Sequence, residues 1–102
     1  MIRGRRRRGR RGRLPLPIKV GQQPVAEAFI PQPDEGGPPI VIEIDELEAV
    51  RLADLEGLSQ EEAGARMGVS RGTIWRLLQR GRKKIAQALI EGRRIQIRRH
   101  VT

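Results

Sequence analysis

The chain has 102 residues, 21 Lys and Arg against 12 Asp and Glu for a net charge of +9, no cysteine and one histidine, which leaves room for a single small domain. The absence of cysteine and the lone His100 exclude disulfides, thiolate metal sites, cysteine nucleophiles and a relay through a buried histidine, so the chain reads as a non-enzyme without cofactor or metal. No apolar run approaches the roughly 20 residues of a membrane span, and the arginine-rich start lacks the apolar stretch of a secretory signal, so a cytoplasmic, nucleoid-associated location is expected.

The charge is divided along the chain. Residues 1–13 hold eight arginines and no acid, for +8; residues 14–69 hold three cations against eleven acids, for −8; residues 70–102 hold ten cations against Glu91, for +9. A uniformly solvated surface would mix the signs. Two basic blocks flanking an acidic one concentrate positive potential where an anionic polymer can lie.

Residues 1–13 form an Arg/Gly tail that cannot bury apolar area, and it is expected to be disordered when free. Its Arg5, Arg6, Arg7, Arg8, Arg10, Arg11 and Arg13 are candidate phosphate or minor-groove contacts; RNA binding, or upstream sequence translated from a misplaced start codon, are the alternatives. Residues 14–39 contain all seven prolines, too closely spaced for a useful helix, and read as an extended arm with Phe29 as its one large anchor. The domain proper is expected over residues 40–97, with a short tail at 98–102. Ile40, Ile42 and Ile44 alternate on one face of a β-branched run, and Ile95-Gln96-Ile97 is a second such fragment. Their apolar edges predict pairing, within one chain or across a homodimer.

Three helices lie between these strands. Asp45 is placed to cap the first, with Leu47, Val50, Leu52 and Leu55 as its apolar side and Gly57 at its end. Ser59-Gln60-Glu61-Glu62 is a capping box that opens the second, which runs to about Met67. Gly68 supplies the positive φ of a sharp turn, Val69 plugs it and Ser70 caps the third. The third helix carries Ile74, Leu77, Leu78, Gly81, Ile85 and Leu89 at helical spacing and continues to about Ile90. Glu46, Glu48, Glu61 and Glu62 read as first-turn carboxylates favoured by helix dipoles, not as metal ligands or acid/base groups.

Ala63, Gly64, Met67, Gly68, Val69, Ile74 and Leu77 satisfy in order the demands of a helix-turn-helix: a small residue at the crossing, a glycine in the turn and apolar plugs on both sides. With that stripe inward, Arg71, Thr73, Trp75 and Arg76 are the candidate base-edge or groove contacts of double-stranded DNA. Ser70 is the cap and a candidate phosphate contact, and Gln79, Arg80 and Lys83 are candidate backbone contacts. Trp75 flanks the apolar stripe, so packing against the first helix is its alternative role. Arg82 and Lys84 are expected to touch phosphates or solvent.

The segments Leu55-Glu56-Gly57-Leu58-Ser59-Gln60-Glu61-Glu62-Ala63, Met67-Gly68-Val69-Ser70-Arg71-Gly72-Thr73 and Arg82-Lys83-Lys84-Ile85 resemble the fourth-region helix-turn-helix of bacterial sigma factors, which reads the promoter −35 element. A closer similarity is to an uncharacterised prokaryotic family of predicted DNA-binding proteins, domain of unknown function 134. It is carried by Phe29-Ile30-Pro31, Asp45-Glu46-Leu47-Glu48-Ala49-Val50-Arg51-Leu52, Met67-Gly68-Val69-Ser70-Arg71 and the run from Lys84 to Gly92. The resemblance covers about residues 14–97. It implies a mainly α, sigma-region-4-like helix-turn-helix with a long third helix, a Pro-rich N-terminal arm and a small two-stranded β element. It also implies DNA binding, with transcriptional regulation as the expected role. The sequence departs from the family at Gly72, where a polar side chain is usual, at Trp75, which replaces a smaller residue, and at Gly81, which replaces alanine at about 1 kcal/mol in a helix interior. Two other readings stand beside this one: a sigma-like modulator that docks on RNA polymerase, and a nonspecific nucleic-acid coat driven by the arginine tail.

Overall fold

A computed structural model describes residues 17–99, and the tail arginines and His100 lie outside that range. Three helices stand on a small three-stranded sheet, in the order β1 (Ala28–Phe29), β2 (Ile40–Glu43), α1 (Ile44–Val50), α2 (Gln60–Met67), α3 (Arg71–Glu91) and β3 (Ile95–Arg98). About half of the described residues are helical, and no described helix is long and apolar enough to cross a membrane.

The two isoleucine runs pair within the chain. β2 and β3 are parallel, with Ile40 opposite Ile95 and Ile42 opposite Ile97. Ile40, Ile42 and Ile44 are all buried, as their alternation predicts. The sheet has three strands instead of the expected two, because Ala28–Phe29 of the arm adds antiparallel to β3 in the order β1-β3-β2. Two residues are too few to leave a period in the sequence. Phe29 is not an anchor: it is 64% exposed.

The start of α1 also differs from the reading at Asp45. β2 runs into α1 without a loop, and the cap is Glu43, whose backbone amide donates to Glu46 Oε1 at 2.9 Å in a reciprocal capping box. Asp45 therefore lies inside the first turn and is buried. After Val50 the helix widens into a π turn, Arg51–Leu55, closed by Glu56 N–H donating to the Arg51 carbonyl at 2.9 Å. The wider turn rotates Leu55 off the apolar side, where it is 76% exposed, while Leu52 stays buried.

The Ser59 and Glu62 capping box forms as predicted, and α2 ends at Gly68 with φ of 71°. Ala49, Leu52, Ala63, Met67, Ile74, Leu77 and Leu78 make the buried helical core, with Ile18 of the arm packed against it. α3 crosses α1 closely at Gly81, where a Cβ would meet Val50 Cγ2 at 2.7 Å and the Glu46 carbonyl oxygen at 2.9 Å. That crossing explains the glycine and overrides its helix-propensity cost. α3 continues to Glu91 and stops at Gly92, φ 64°. Its last turn runs past the helical core, so Leu89 is exposed instead of continuing the buried stripe.

The arm lies along the domain. Lys19 N–H donates to the Met67 carbonyl at 3.0 Å, Gly21 N–H to Glu48 Oε2 at 2.9 Å, and Ile97 N–H to the Glu27 carbonyl at 2.9 Å. Glu48 is buried and grips Arg51 through two bonds of 2.8 Å. One carboxylate thus ties arm, α1 and the π turn together.

Candidate nucleic-acid interface

α2 and α3 meet at a three-residue turn, Gly68-Val69-Ser70. The left-handed φ of Gly68 reverses the chain, and Val69 N–H donates to the Gly64 carbonyl at 2.9 Å. The approach is close enough that a Cβ on Gly64 would lie 3.1 Å from the Val69 oxygen and 3.6 Å from Ile74 Cγ2. With Met67, Ile74 and Leu78 fully buried beneath it, the turn is fixed by packing, and the orientation of α3 relative to α2 follows.

The first turn of α3 is a linked set of hydroxyls and one guanidinium. Ser70 Oγ accepts from Thr73 N–H at 3.2 Å and donates to Thr73 Oγ1 at 3.0 Å, and Arg76 Nη2 donates to the same Thr73 oxygen at 3.3 Å. Thr73 is half-buried and acts as a buttress that holds Arg76 against the helix end. Arg71, Arg76, Gln79, Arg80 and Lys83 are exposed, and Trp75 is 52% exposed beside them. Their spacing of three and four residues makes one continuous face. A Cβ on Gly72 would meet nothing nearer than Arg76 Nη1 at 3.7 Å, so packing does not require that glycine.

The C-terminal basic block divides into two sets. Arg82 pairs with Asp54 at 2.7 Å, Lys84 with the buried Glu46 at 2.6 Å, Arg93 with Glu91 at 2.9 Å, Arg94 with Asp34 at 2.8 Å, and Arg98 with Glu43. Arg99 donates to the carbonyls of Pro24 and Ala26 at 2.9 and 3.1 Å. These six cations hold α3 and β3 to α1, β2 and the arm; Arg82 meets solvent while its guanidinium is held by Asp54, and Lys84 is drawn in against Glu46. The Arg82 guanidinium also holds the Asp54 carboxyl below its usual value. Among the described residues, Arg71, Arg76, Arg80 and Lys83 have no ion pair, and all four lie on the exposed face of α3.

Two further exposed cations near the α2 to α3 turn were not singled out in the sequence. Arg66, exposed in the last turn of α2, and Lys19, whose backbone bonds to Met67, likewise have no ion pair among the described residues. The position of Arg66 opposite Ala63, Gly64 and Met67 was a usable signal; that of Lys19 depends on where the arm docks. No cluster of three or more His, Cys, Asp or Glu side chains able to hold a metal is present among the described residues.

The family model described as protein of unknown function DUF134 matches residues 1–99. A UPF0251 protein of Pyrococcus furiosus is 52% identical over 91 residues, which cover 86% of this chain and 82% of that protein. One of Archaeoglobus fulgidus is 46% identical over 87 residues, 85% of this chain and 83% of its own. A bacterial relative from Syntrophobacter fumaroxidans is 53% identical over 72 residues, 69% of this chain and 46% of that protein, so the match spans under half of its length. No solved structure matches the chain. With nearly its whole length matched by the family model, the chain belongs to the DUF134/UPF0251 family of archaeal and bacterial proteins.

Proposed function

We propose that the chain binds double-stranded DNA with α2 and α3 as a helix-turn-helix of the sigma-region-4 kind, the first half of α3 lying in the major groove, and that it regulates transcription. The observation that carries this reading is the sorting of cations. The C-terminal basic block has ten: five are ion-paired, Arg99 is bonded to carbonyls of the arm, and the remaining four, none of them ion-paired among the described residues, lie together on the exposed face of α3. Four unpaired like charges on one helix face repel one another, and an anionic partner relieves that repulsion.

In this reading Arg76, held by Thr73, and Arg71 reach base edges or phosphates from the first two turns. Trp75 lies along the groove wall, Ser70 and the amides of the helix start meet a phosphate, and Gln79, Arg80 and Lys83 follow the backbone. Lys19 and Arg66 extend the phosphate contacts on the α2 side. The arm reaches the body at Ile18 and Lys19, beside this turn, so the arginines of residues 1–13 precede a point next to the proposed groove contact and add phosphate contacts of their own. The test is selection from random duplex DNA. Enrichment of one short sequence supports the reading, whereas equal recovery of all duplexes and of RNA supports a nonspecific coat.

A further inference from the structure

Opposite the recognition end, the structure exposes apolar surface that the DNA-binding reading does not use. Val25, Phe29, Ile30, Leu89 and Ile90 are 100, 64, 58, 74 and 87% exposed. They are contiguous. One cavity of about 530 Å3 runs between Phe29 and Ile30 on one side and Leu89 and Ile90 on the other, and a second of about 520 Å3, walled by apolar side chains alone, lies between Val25, Phe29 and the β3 isoleucines. Phe29 and Ile95 line both. A small-molecule site needs a few convergent polar groups to orient its ligand, and the second cavity has none.

We propose that this surface, centred on Phe29, is a homodimer interface, in which each copy's Val25 to Ile30 segment covers the other's apolar cavities around a two-fold axis. Three observations select a second copy. First, the five side chains expose on the order of 600 Å2, at the upper end for a monomer's largest patch and close to the roughly 800 Å2 per partner of a stable interface. Second, the rim carries both signs, with Glu91 beside Arg93 and Asp34 beside Arg94, so the surface can meet itself without the like-charge repulsion that the α3 face would impose. Third, β1 is an edge strand with no charged residue in it, and both of its residues are exposed.

The patch sits about 20 Å along α3 from Arg76, at about 1.5 Å per residue. Pairing there leaves both recognition faces free, and a two-fold dimer then reads two half-sites of opposite orientation. Only this last consequence rests on the DNA-binding reading.

The test is the mass of the full chain by sedimentation at micromolar concentration without DNA. Wild type is expected at twice 11.5 kDa. Phe29→Asp and Ile90→Glu, both at exposed positions, should each weaken self-association at least about thirty-fold, as loss of an interface hot spot does, with an unchanged far-ultraviolet circular dichroism spectrum. Ala65→Asp, at an exposed apolar position on α2 away from the patch, should leave the dimer mass. Arg76→Ala should keep the dimer while losing DNA, which separates the two proposals. A wild-type chain of single mass, a dimer indifferent to both patch variants, or a monomer that uses the patch to bind RNA polymerase would each overturn the inference.

Discussion

A methyl group on Gly81 would sit 2.7 Å from Cγ2 of Val50, and this contact sets how closely α3 can cross α1. Gly81→Ala is the substitution that helix propensity recommends, by about 1 kcal/mol. Here the backbone carbonyl of Glu46, 2.9 Å away, cannot yield as a side chain can. The variant should therefore lose about 1 to 3 kcal/mol of stability in urea unfolding, as overpacked cores do. Adding Val50→Ala should recover part of the loss and not all of it. A more stable Gly81→Ala would show that the crossing is looser than described.

Glu48 gives a second test, because one buried carboxylate serves Arg51 and the arm. Burial pushes its carboxyl up, but the Arg51 guanidinium and the Gly21 amide outweigh that and hold it below its usual value. The folded state then binds fewer protons than the unfolded one. The stabilisation is present above the unfolded carboxylate range and is lost as pH falls through the folded value. Arg51→Ala should cost about 3 kcal/mol at neutral pH, because it strands a buried charge, and should flatten the acid limb of the stability curve. Amide exchange at Gly21 should quicken as well. An Arg51→Ala protein as stable as wild type would contradict this.

Asp45 is the opposite case. Burial first, and then the charges of Glu46 and Glu43, push its carboxyl up against the pull of the Glu46 amide, which donates to it at 2.8 Å. A raised carboxyl stabilises the fold when protonated, and that contribution is lost as pH rises through the folded value. Asp45→Asn keeps an acceptor for the amide and removes the charge. It should be more stable than wild type at pH 7, with the difference shrinking toward pH 4. A destabilised Asn variant at neutral pH would refute the assignment.

Much of the helical frame was legible because its signals are local. The Ser59 and Glu62 box, the left-handed Gly68 and the Ser70 cap each act within four residues and appear where the sequence puts them. The pairing of the run at Ile40 and Ile42 with Ile95 to Ile97 was legible from β-branched alternation. Leu55 and Leu89 were misplaced because a 3.6-residue period assumes that the helix neither widens nor outruns its partners. The sorting of cations was invisible: Arg82 meets Asp54 from 28 residues away and Arg98 meets Glu43 from 55. A charge block read along the chain cannot separate arginines that hold the fold from those left for a ligand.

If the arginines before Leu14 touch phosphates, each contributes about 0.9 to the slope of log affinity against log salt, on every sequence alike. Removing residues 2–13 should lower affinity for selected and random duplexes by similar factors, flatten the salt dependence by several units and leave the preferred sequence unchanged. A loss confined to A·T-rich flanks would instead point to minor-groove reading. An unchanged slope would mean that the tail does not contact DNA.

The central claim is that the cations without ion pairs on α3, and not the paired ones, meet DNA. It is tested most directly by titrating one selected duplex with wild type, Arg76→Ala and Arg94→Ala at a single salt concentration. Arg76→Ala should lose about 1 to 3 kcal/mol of binding, roughly five- to 150-fold, with the fold intact. Arg94→Ala removes the same charge from a residue bound to Asp34 and should bind within about two-fold of wild type. Equal losses in the two variants would show that only net charge matters, and wild-type affinity in Arg76→Ala would show that α3 does not face the DNA.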